Sequence, residues 1–270
     1  MRIPFTKAHG AKNDFLLTWR NDAPRDNLAA AARAICDRHT GVGADGWLLV
    51  SQPDPGEAVD GAIQLFNPDG SIAEISGNGT RCAAAFLLDA GVVPGPEVRI
   101  RTGAGPKSMR LIERHGLDFL FEMNMGQPVC SAGPDSGILP LAGAILQTTL
   151  VDAGNPQCAF LVDHFDFDWR TVGRAVEHHS YFPNRTNVSF FRPAGPNAIE
   201  ALFWERGAGE TLSSGTGSTG AAAAAIYCEV AKAPIEVRTP AGTLSVRFEE
   251  QTAYLTGPAE ITAGGEFYLV

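Results

Sequence analysis

The residues best placed to do chemistry are two serines, Ser76 and Ser214, each opening the pattern Ser-Gly-x-Gly: Ser76-Gly77-Asn78-Gly79 and Ser214-Gly215-Thr216-Gly217. Residues 63–85 superimpose on residues 201–223 without a gap. Phe66-Asn67 then falls on Trp204-Glu205, and Ala83-Ala84-Ala85 on Ala221-Ala222-Ala223. Each copy predicts an apolar strand, a Gly-rich turn and a helix entered through serine. A helix start presents N–H groups without intrahelical acceptors and the positive end of the dipole, so it attracts an anion. Two such starts on related halves predict one anionic group held between them, with a serine on each side.

Other polar residues gather around this repeat. Asn13, Asn67, Asn155 and Asn187 sit at turns or strand ends, where asparagine is common for its own conformational reasons. Asn67 and Asn155 hold corresponding places relative to Glu205 and Asn13, which predicts a polar ring around one ligand. Glu205-Arg206 reads either as a surface ion pair or as a clamp for an amine and a carboxylate, which arginine binds bidentately. Gly215-Thr216-Gly217-Ser218-Thr219-Gly220 spells G-x-G-x-x-G. A dinucleotide site needs that pattern directly after a strand; here residues 206–213 intervene, and the first copy lacks it. Neither serine sits in G-x-S-x-G, because Glu74 and Leu212 precede where glycine is needed. The spacing of His39, His178 and His179 does not mark any of them as a base for a serine.

The elements that position these residues follow from pattern. Strands are expected at 2–8 and 15–19 around a turn at 9–14, then a helix from Asn27 through Leu28, Ala31, Ile35 and Cys36. A Gly-rich loop, 37–46, feeds a strand at 47–50. The first Ser-Gly-x-Gly helix should run to about Ala90, and strands near 98–101, 107–113 and 117–124 follow, the region in which the domain boundary is placed. A second half then repeats the plan: a strand at 148–151, the turn Ala153-Gly154-Asn155-Pro156 and a helix capped by Asp168. The strand 200–204 follows, then an Ala-rich helix over 216–231. Short strands at 235–238, 244–248, 253–256 and 267–270 end the chain. The expected fold is α/β (α+β), two pseudo-symmetric domains, each a curved, mostly antiparallel sheet around a central helix. The boundaries are placed at 1–115 and 116–262, with 263–270 returning to the first domain. The site is expected in the cleft between them.

Composition narrows the class. The 270 residues are 44% hydrophobic and 19% charged, as in folded domains. A net charge of −9 without any Lys/Arg cluster argues against a nucleic-acid partner. No stretch has the length and apolarity of a membrane span, and the start, MRIPFTKAHG, lacks a signal peptide's apolar run, so the expected compartment is the cytoplasm. Cys36, Cys82, Cys130, Cys158 and Cys228 are scattered without C-x-x-C spacing, against a disulfide framework or structural zinc.

The chain resembles diaminopimelate epimerases over essentially its whole length. The resemblance rests on residues 10–15 (GAKNDF), 38–45 (RHTGVGAD), 66–70 (FNPDG), 77–82 (GNGTRC), 154–156 (GNP), 182–187 (FPNRTN) and 205–211 (ERGAGET). It implies a cofactor- and metal-free isomerase that links LL- and meso-diaminopimelate in lysine and peptidoglycan precursor synthesis. The partner would be a small amino-acid substrate, with neither nucleic acid nor membrane, and the candidate assembly a homodimer. By resemblance, Asn13, Asn67, Asn155, Asn187, Glu205 and Arg206 hold the distal amino-acid end. Backbone at Gly77, Asn78, Gly215 and Thr216 holds the reacting end. The family's two catalytic cysteines, which act from opposite faces of the α-carbon, fall on Ser76 and Ser214. The histidine that tunes those thiols falls on Gln157, with Glu205 as a second tuning position, and an expected glutamine falls on Gly46. A thiol at a helix start reaches the thiolate; a hydroxyl is a far weaker acid, and a weak base without an activating neighbour. Three readings follow: serines introduced to trap an inactive form, natural divergence with another amino-acid substrate or another base, and amino-acid binding without catalysis. The simultaneous changes at Gln157 and Gly46 favour divergence.

Overall fold

A computed structural model describes residues 1–134 and 145–269, and the chain divides into two compact units, Met1–Met123 with Gly257–Val270, and Asn124–Thr256. In the first unit, β1 (Arg2–Gly10) and β2 (Asn13–Trp19) form an antiparallel hairpin. The helix α1 (Leu28–Cys36) crosses to β3 (Gly46–Ser51), parallel to β2. Next, β4 (Gly61–Phe66) lies antiparallel to β3 and carries the short β5 (Ile72–Ala73). The helix α2 (Gly77–Asp89) crosses to β6 (Glu97–Thr102), parallel to β4, and β7 (Gly105–His115) and β8 (Asp118–Gly126) follow antiparallel.

The second unit opens with β9 (Val129–Ala132), paired with β10 (Ile145–Asp152). Then β10 and β11 (Pro156–Val162) form a hairpin, and α3 (Trp169–Glu177) crosses to β12 (Asn187–Gly195), parallel to β11. Strand β13 (Ala198–Glu205) lies antiparallel to β12 and carries β14 (Gly209–Thr211). The helix α4 (Gly215–Tyr227) crosses to β15 (Ile235–Thr239), parallel to β13, before β16 (Gly242–Glu249) and β17 (Thr252–Tyr268). Each unit thus runs hairpin, parallel crossover through a nine-residue helix, antiparallel strand with a short partner, parallel crossover through a thirteen-residue helix, and a meander. The repeat read over 63–85 and 201–223 extends to the whole unit, and the fold is α+β.

The two thirteen-residue helices are the interior of their units. Residues 77–87 of α2 are buried against β1, β2, β3, β4 and β6. In α4 every residue from 215 to 225 except Thr216 is buried, against β10, β11, β12 and β13 among others. Only Gly, Ala, Ser and Thr occupy α4 before Ile226, so the strands approach its backbone closely. The shorter helices bury one face each: α1 joins a core of Ile3, Leu16, Trp47, Leu49 and Phe66, and α3 one of Phe160, Val188 and Phe190.

Several local expectations change. Asn27 holds the N-cap position of α1 but in the left-handed region (φ 57°), with no side-chain cap bond. Asp168 does cap α3, accepting from the Thr171 N–H at 3.1 Å. The Ala-rich helix stops at Tyr227, not near Ala231. Glu229 turns left-handed (φ 60°), and the Val230 N–H closes back onto the Ala225 carbonyl at 3.0 Å. The strands expected at 253–256 and 267–270 are one strand, β17. Its first residues pair with β16 and its later ones with β1, from His9↔Glu260 to Arg2↔Tyr268. Val270 lies outside the described residues.

Candidate active site

Both serines are helix N-caps in nearly identical extended backbone, φ −131° and ψ 121° at Ser76, φ −137° and ψ 127° at Ser214. The Ser76 Oγ accepts from the Gly79 N–H at 3.1 Å, and the Ser214 Oγ from the Gly217 N–H at 3.0 Å. Each satisfies one helix donor and keeps its own hydroxyl proton to give. The glycine three residues on is required by space: a Cβ on Gly217 would lie 2.8 Å from Phe203 Cδ1 and 2.9 Å from the Ser214 Oγ. Gly77, Asn78, Gly215 and Thr216 head their helices, where their amides have no intrahelical acceptor. The G-x-G-x-x-G pattern lies wholly inside α4 and forms no phosphate-cradling loop.

The two starts differ in what faces the serine. Ser214 lies beside the half-buried Glu205 carboxylate. Burial pushes the Glu205 pKa above the ordinary carboxylate value, and the donated Ser214 hydroxyl offsets part of that. The corresponding residue in the first unit is Asn67, whose Nδ2 donates to the Ser71 Oγ at 2.9 Å. Among the described residues Ser76 bonds no carboxylate. Neither His39, in the first unit, nor His178 and His179, at the end of α3, bonds the serine of its unit.

Glu205 and Arg206 are not an ion pair with each other. While Glu205 meets Ser214, the exposed Arg206 sends Nη1 to the Asn184 carbonyl at 3.1 Å. Its backbone N–H donates to the Asn187 Oδ1 at 2.9 Å, and the Asn187 Nδ2 donates to the Pro156 carbonyl at 3.1 Å. Asn187 therefore ties the Glu205-Arg206 turn to the start of β11. Sequence reasoning missed Glu177, which fixes the same turn. Its buried carboxylate accepts from Trp204 Nε1 at 2.8 Å and the Gly207 N–H at 3.0 Å, with Arg185 Nη1 at 3.4 Å. Only its place on the apolar face of α3, beside Val176, hinted at burial.

Around the start of α4, Asn155 Nδ2 donates to the Thr216 Oγ1 at 3.3 Å, and Gln157 Nε2 to the Asn155 Oδ1 at 2.7 Å. Gln157 is buried (3% exposed), and its Oε1 has no partner among the described residues. These two amides line a cavity of about 550 Å³ together with Ser131, Asp152, Tyr181 and Phe182 among others.

Around the start of α2, Asn78 Nδ2 donates to the Asn13 Oδ1 at 3.2 Å, and Asn13 Nδ2 to the Asp45 Oδ2 at 2.8 Å. Gly10 lets Asn78 approach, since a Cβ there would lie 3.2 Å from it. Asn13 follows a two-residue turn, Ala11 (φ 49°) and Lys12 (φ 61°), with both residues left-handed and neither a glycine. Asp45 is held by Arg38, which also bridges to Asp14. Burial raises the Asp14 pKa, but hydrogen bonds from Arg38 and Lys7 outweigh it and hold the carboxyl below its ordinary range. The place of the expected glutamine is closed at Gly46: a Cβ there would meet Leu65 Cδ1 at 2.9 Å and Phe15 Cδ1 at 3.1 Å.

No cysteine replaces a missing thiolate. Burial pushes Cys36 and Cys82 up to about 12 and Cys130 up to about 11, and raises Cys158 and Cys228. Among the described residues no group of three His, Cys, Asp or Glu side chains is arranged to hold a metal ion, and no helix is long and apolar enough to cross a membrane.

The diaminopimelate epimerase family profile matches residues 5–130 and 149–262. A diaminopimelate epimerase of Pelotomaculum thermopropionicum is 37% identical over 277 residues, covering 97% of this chain and 98% of that protein. One of Synechococcus sp. (strain JA-3-3Ab) is 38% identical over 281 residues, covering 96% and 95%. Among solved structures, a phenazine biosynthesis protein of the PhzF family from Bacillus anthracis superimposes with a TM-score of 0.74 at 16% identity, covering all of both chains. A hydroxyproline epimerase from Agrobacterium vitis does so with a TM-score of 0.67 at 16% identity, over 98% and 90%. These two likenesses carry the fold alone.

Proposed function

The chain belongs to the diaminopimelate epimerase family, and from that premise we propose that it inverts the α-carbon of LL- and meso-diaminopimelate, with Ser214 and Ser76 in the acid–base positions. The observation that carries the reading is the place of the Glu205 carboxylate beside the Ser214 hydroxyl, at the end of β13 and the cap of α4. It supplies the one thing a serine needs to take a proton, an adjacent base. A carboxyl raised by burial above its ordinary value is the stronger base for that role. In the forward step, the Ser214 hydroxyl accepts the α-proton as its own proton passes to the Glu205 carboxylate. Ser76, whose Oγ accepts from the Gly79 N–H, gives its hydroxyl proton to the opposite face of the carbanion, and after product leaves, solvent returns a proton to the Ser76 oxygen and takes the one held by Glu205. The helix-start amides of Gly77, Asn78, Gly215 and Thr216 hold the α-carboxylate. Asn13, Asn67, Asn155, Asn187 and Arg206 hold the distal end, and Gln157 braces Asn155. A cytoplasmic, homodimeric enzyme of lysine and cell-wall precursor synthesis belongs to the same reading.

A second reading, binding of the same amino acid without turnover, is favoured by Ser76, which has no base among its bonded partners. Exchange of the α-proton of LL- and meso-diaminopimelate in deuterated water separates the two. Exchange that disappears in Glu205→Gln supports the epimerase. Tight binding without exchange establishes the binder, and absence of both binding and exchange removes diaminopimelate as the ligand.

A further inference from the structure

Arg81 belongs to the Gly-Asn-Gly-Thr-Arg-Cys segment of α2, yet none of the roles above uses it. It is fully buried, at 0% exposure. Its Nε donates to the Pro258 carbonyl at 3.1 Å and its Nη2 to the Asn78 Oδ1. Its Nη1 is buried without a hydrogen-bond partner, and among the described residues no carboxylate pairs with it. A buried cation without a counter-charge is strongly disfavoured. Burial lowers its pKa only to about 10, so the charge persists at neutral pH.

The guanidinium also sets direction. Because Arg81 can only donate, the Asn78 Oδ1 must face it, so Asn78 Nδ2 faces Asn13 and Asn13 Nδ2 faces Asp45. The second unit has no counterpart. The residue corresponding to Arg81 is Thr219, whose Oγ1 turns back to the Gly215 carbonyl at 2.9 Å. At this corresponding position one helix carries a buried cation and the other a neutral hydroxyl.

We propose that Arg81 is a positioning residue for carboxylate capture at the start of α2, supplying the positive charge that a bound carboxylate balances and orienting Asn78 and Asn13 toward it. The inference rests on the reading of that helix start as a carboxylate site. The test titrates meso-diaminopimelate, and 1,5-diaminopentane as its analogue without carboxylates, into the wild type, Arg81→Lys, Arg81→Gln and Asn78→Asp by calorimetry, with a thermal melt of each. Arg81→Gln is expected to weaken diaminopimelate about tenfold to a hundredfold, with any heat from diaminopentane unchanged, and Arg81→Lys to recover part of the loss. Asn78→Asp places a carboxylate against Arg81, so it is expected to raise the Tm while weakening diaminopimelate. This keeps the test decisive if Arg81→Gln does not fold. Wild-type affinity for diaminopimelate in Arg81→Gln or in Asn78→Asp overturns the inference. If the wild type itself does not bind diaminopimelate, the proposed substrate fails and the Arg81 inference is decided with acetate. A Tm rise with acetate in the wild type that is lost in Arg81→Gln and Asn78→Asp upholds it, and an equal response overturns it.

Discussion

Exchanging both serines, Ser76→Cys with Ser214→Cys, is expected to make the protein less stable and far more active. Each serine now caps its helix through a bond of 3.1 or 3.0 Å. A thiol is a poor acceptor, so each exchange should cost about 1 kcal/mol, the usual worth of a serine cap. Together they cost about 2 kcal/mol, which lowers the Tm of a chain this size by about 5 °C. The return is ionisation: a helix start brings a thiol from about 8.5 to about 7.5 or below, so that at pH 7.5 about half or more is thiolate. Replacing a hydroxyl by a matched base should raise α-proton exchange by about a hundredfold or more. The positions should differ, because the Glu205 carboxylate disfavours a second anion at 214, while Asn67, a neutral amide, holds the corresponding place in the first unit. Thiolate ultraviolet absorbance of the two single variants should therefore titrate at higher pH for Ser214→Cys than for Ser76→Cys. Exchange of diaminopimelate protons in deuterated water, followed by proton resonance, reads the activity. A double variant that folds, melts within several degrees of wild type and exchanges no faster would refute the assignment of acid and base to these positions.

Gly217→Ala should cost about 2 kcal/mol, read by denaturant melts, because its Cβ collides with Phe203 and with the capping Ser214 Oγ. Lys12→Gly should instead stabilise by up to about 1 kcal/mol, since the left-handed φ of 61° strains any residue with a Cβ; no gain would show that the turn is not strained. Glu205→Gln should gain on the wild type as pH rises. The folded-state pKa of Glu205 lies above its unfolded value, so its contribution to stability is fully present below the unfolded pKa, about 4.3. It is lost as pH rises through the folded pKa. Paired thermal melts across that window check the sign, and a wild type that gains on the variant with rising pH would contradict it.

Much of this was legible because it depends on local patterns. Small residues after Ser-Gly-x-Gly can only be a helix start packed in a tight interior, and two such stretches in register disclosed the repeat. The fates of individual side chains were not legible, because long-range contacts decide them. Glu205-Arg206 looked like a pair, but β13 turns one carboxylate to Ser214 while Arg206 reaches Asn184. Arg81 and Glu177 look like surface charges in sequence, and only the strands packed around their helices bury them. The turn between β1 and β2 was legible, but Ala11-Lys12 carries none of the usual residues of a left-handed turn, so its two-residue form, which aims Asn13, was not.

The pairing of β1 with the end of β17 has a consequence for how the chain is made. Strand β1 has one edge reserved for residues synthesised roughly 250 positions later. The register runs to Arg2↔Tyr268, and the Met1 amino group bonds the Leu269 carbonyl at 2.6 Å. The unit formed by Asn124–Thr256 is one uninterrupted stretch, so it can close while the tail is still unmade. The amino-terminal half must wait with an open strand edge, the kind of surface that recruits wrong partners. Joining the old ends and opening the chain at the exposed Gln127, between β8 and β9, would make the first unit nearly continuous and remove that wait, and synthesis of such a permutant should leave less aggregate than synthesis of the original order.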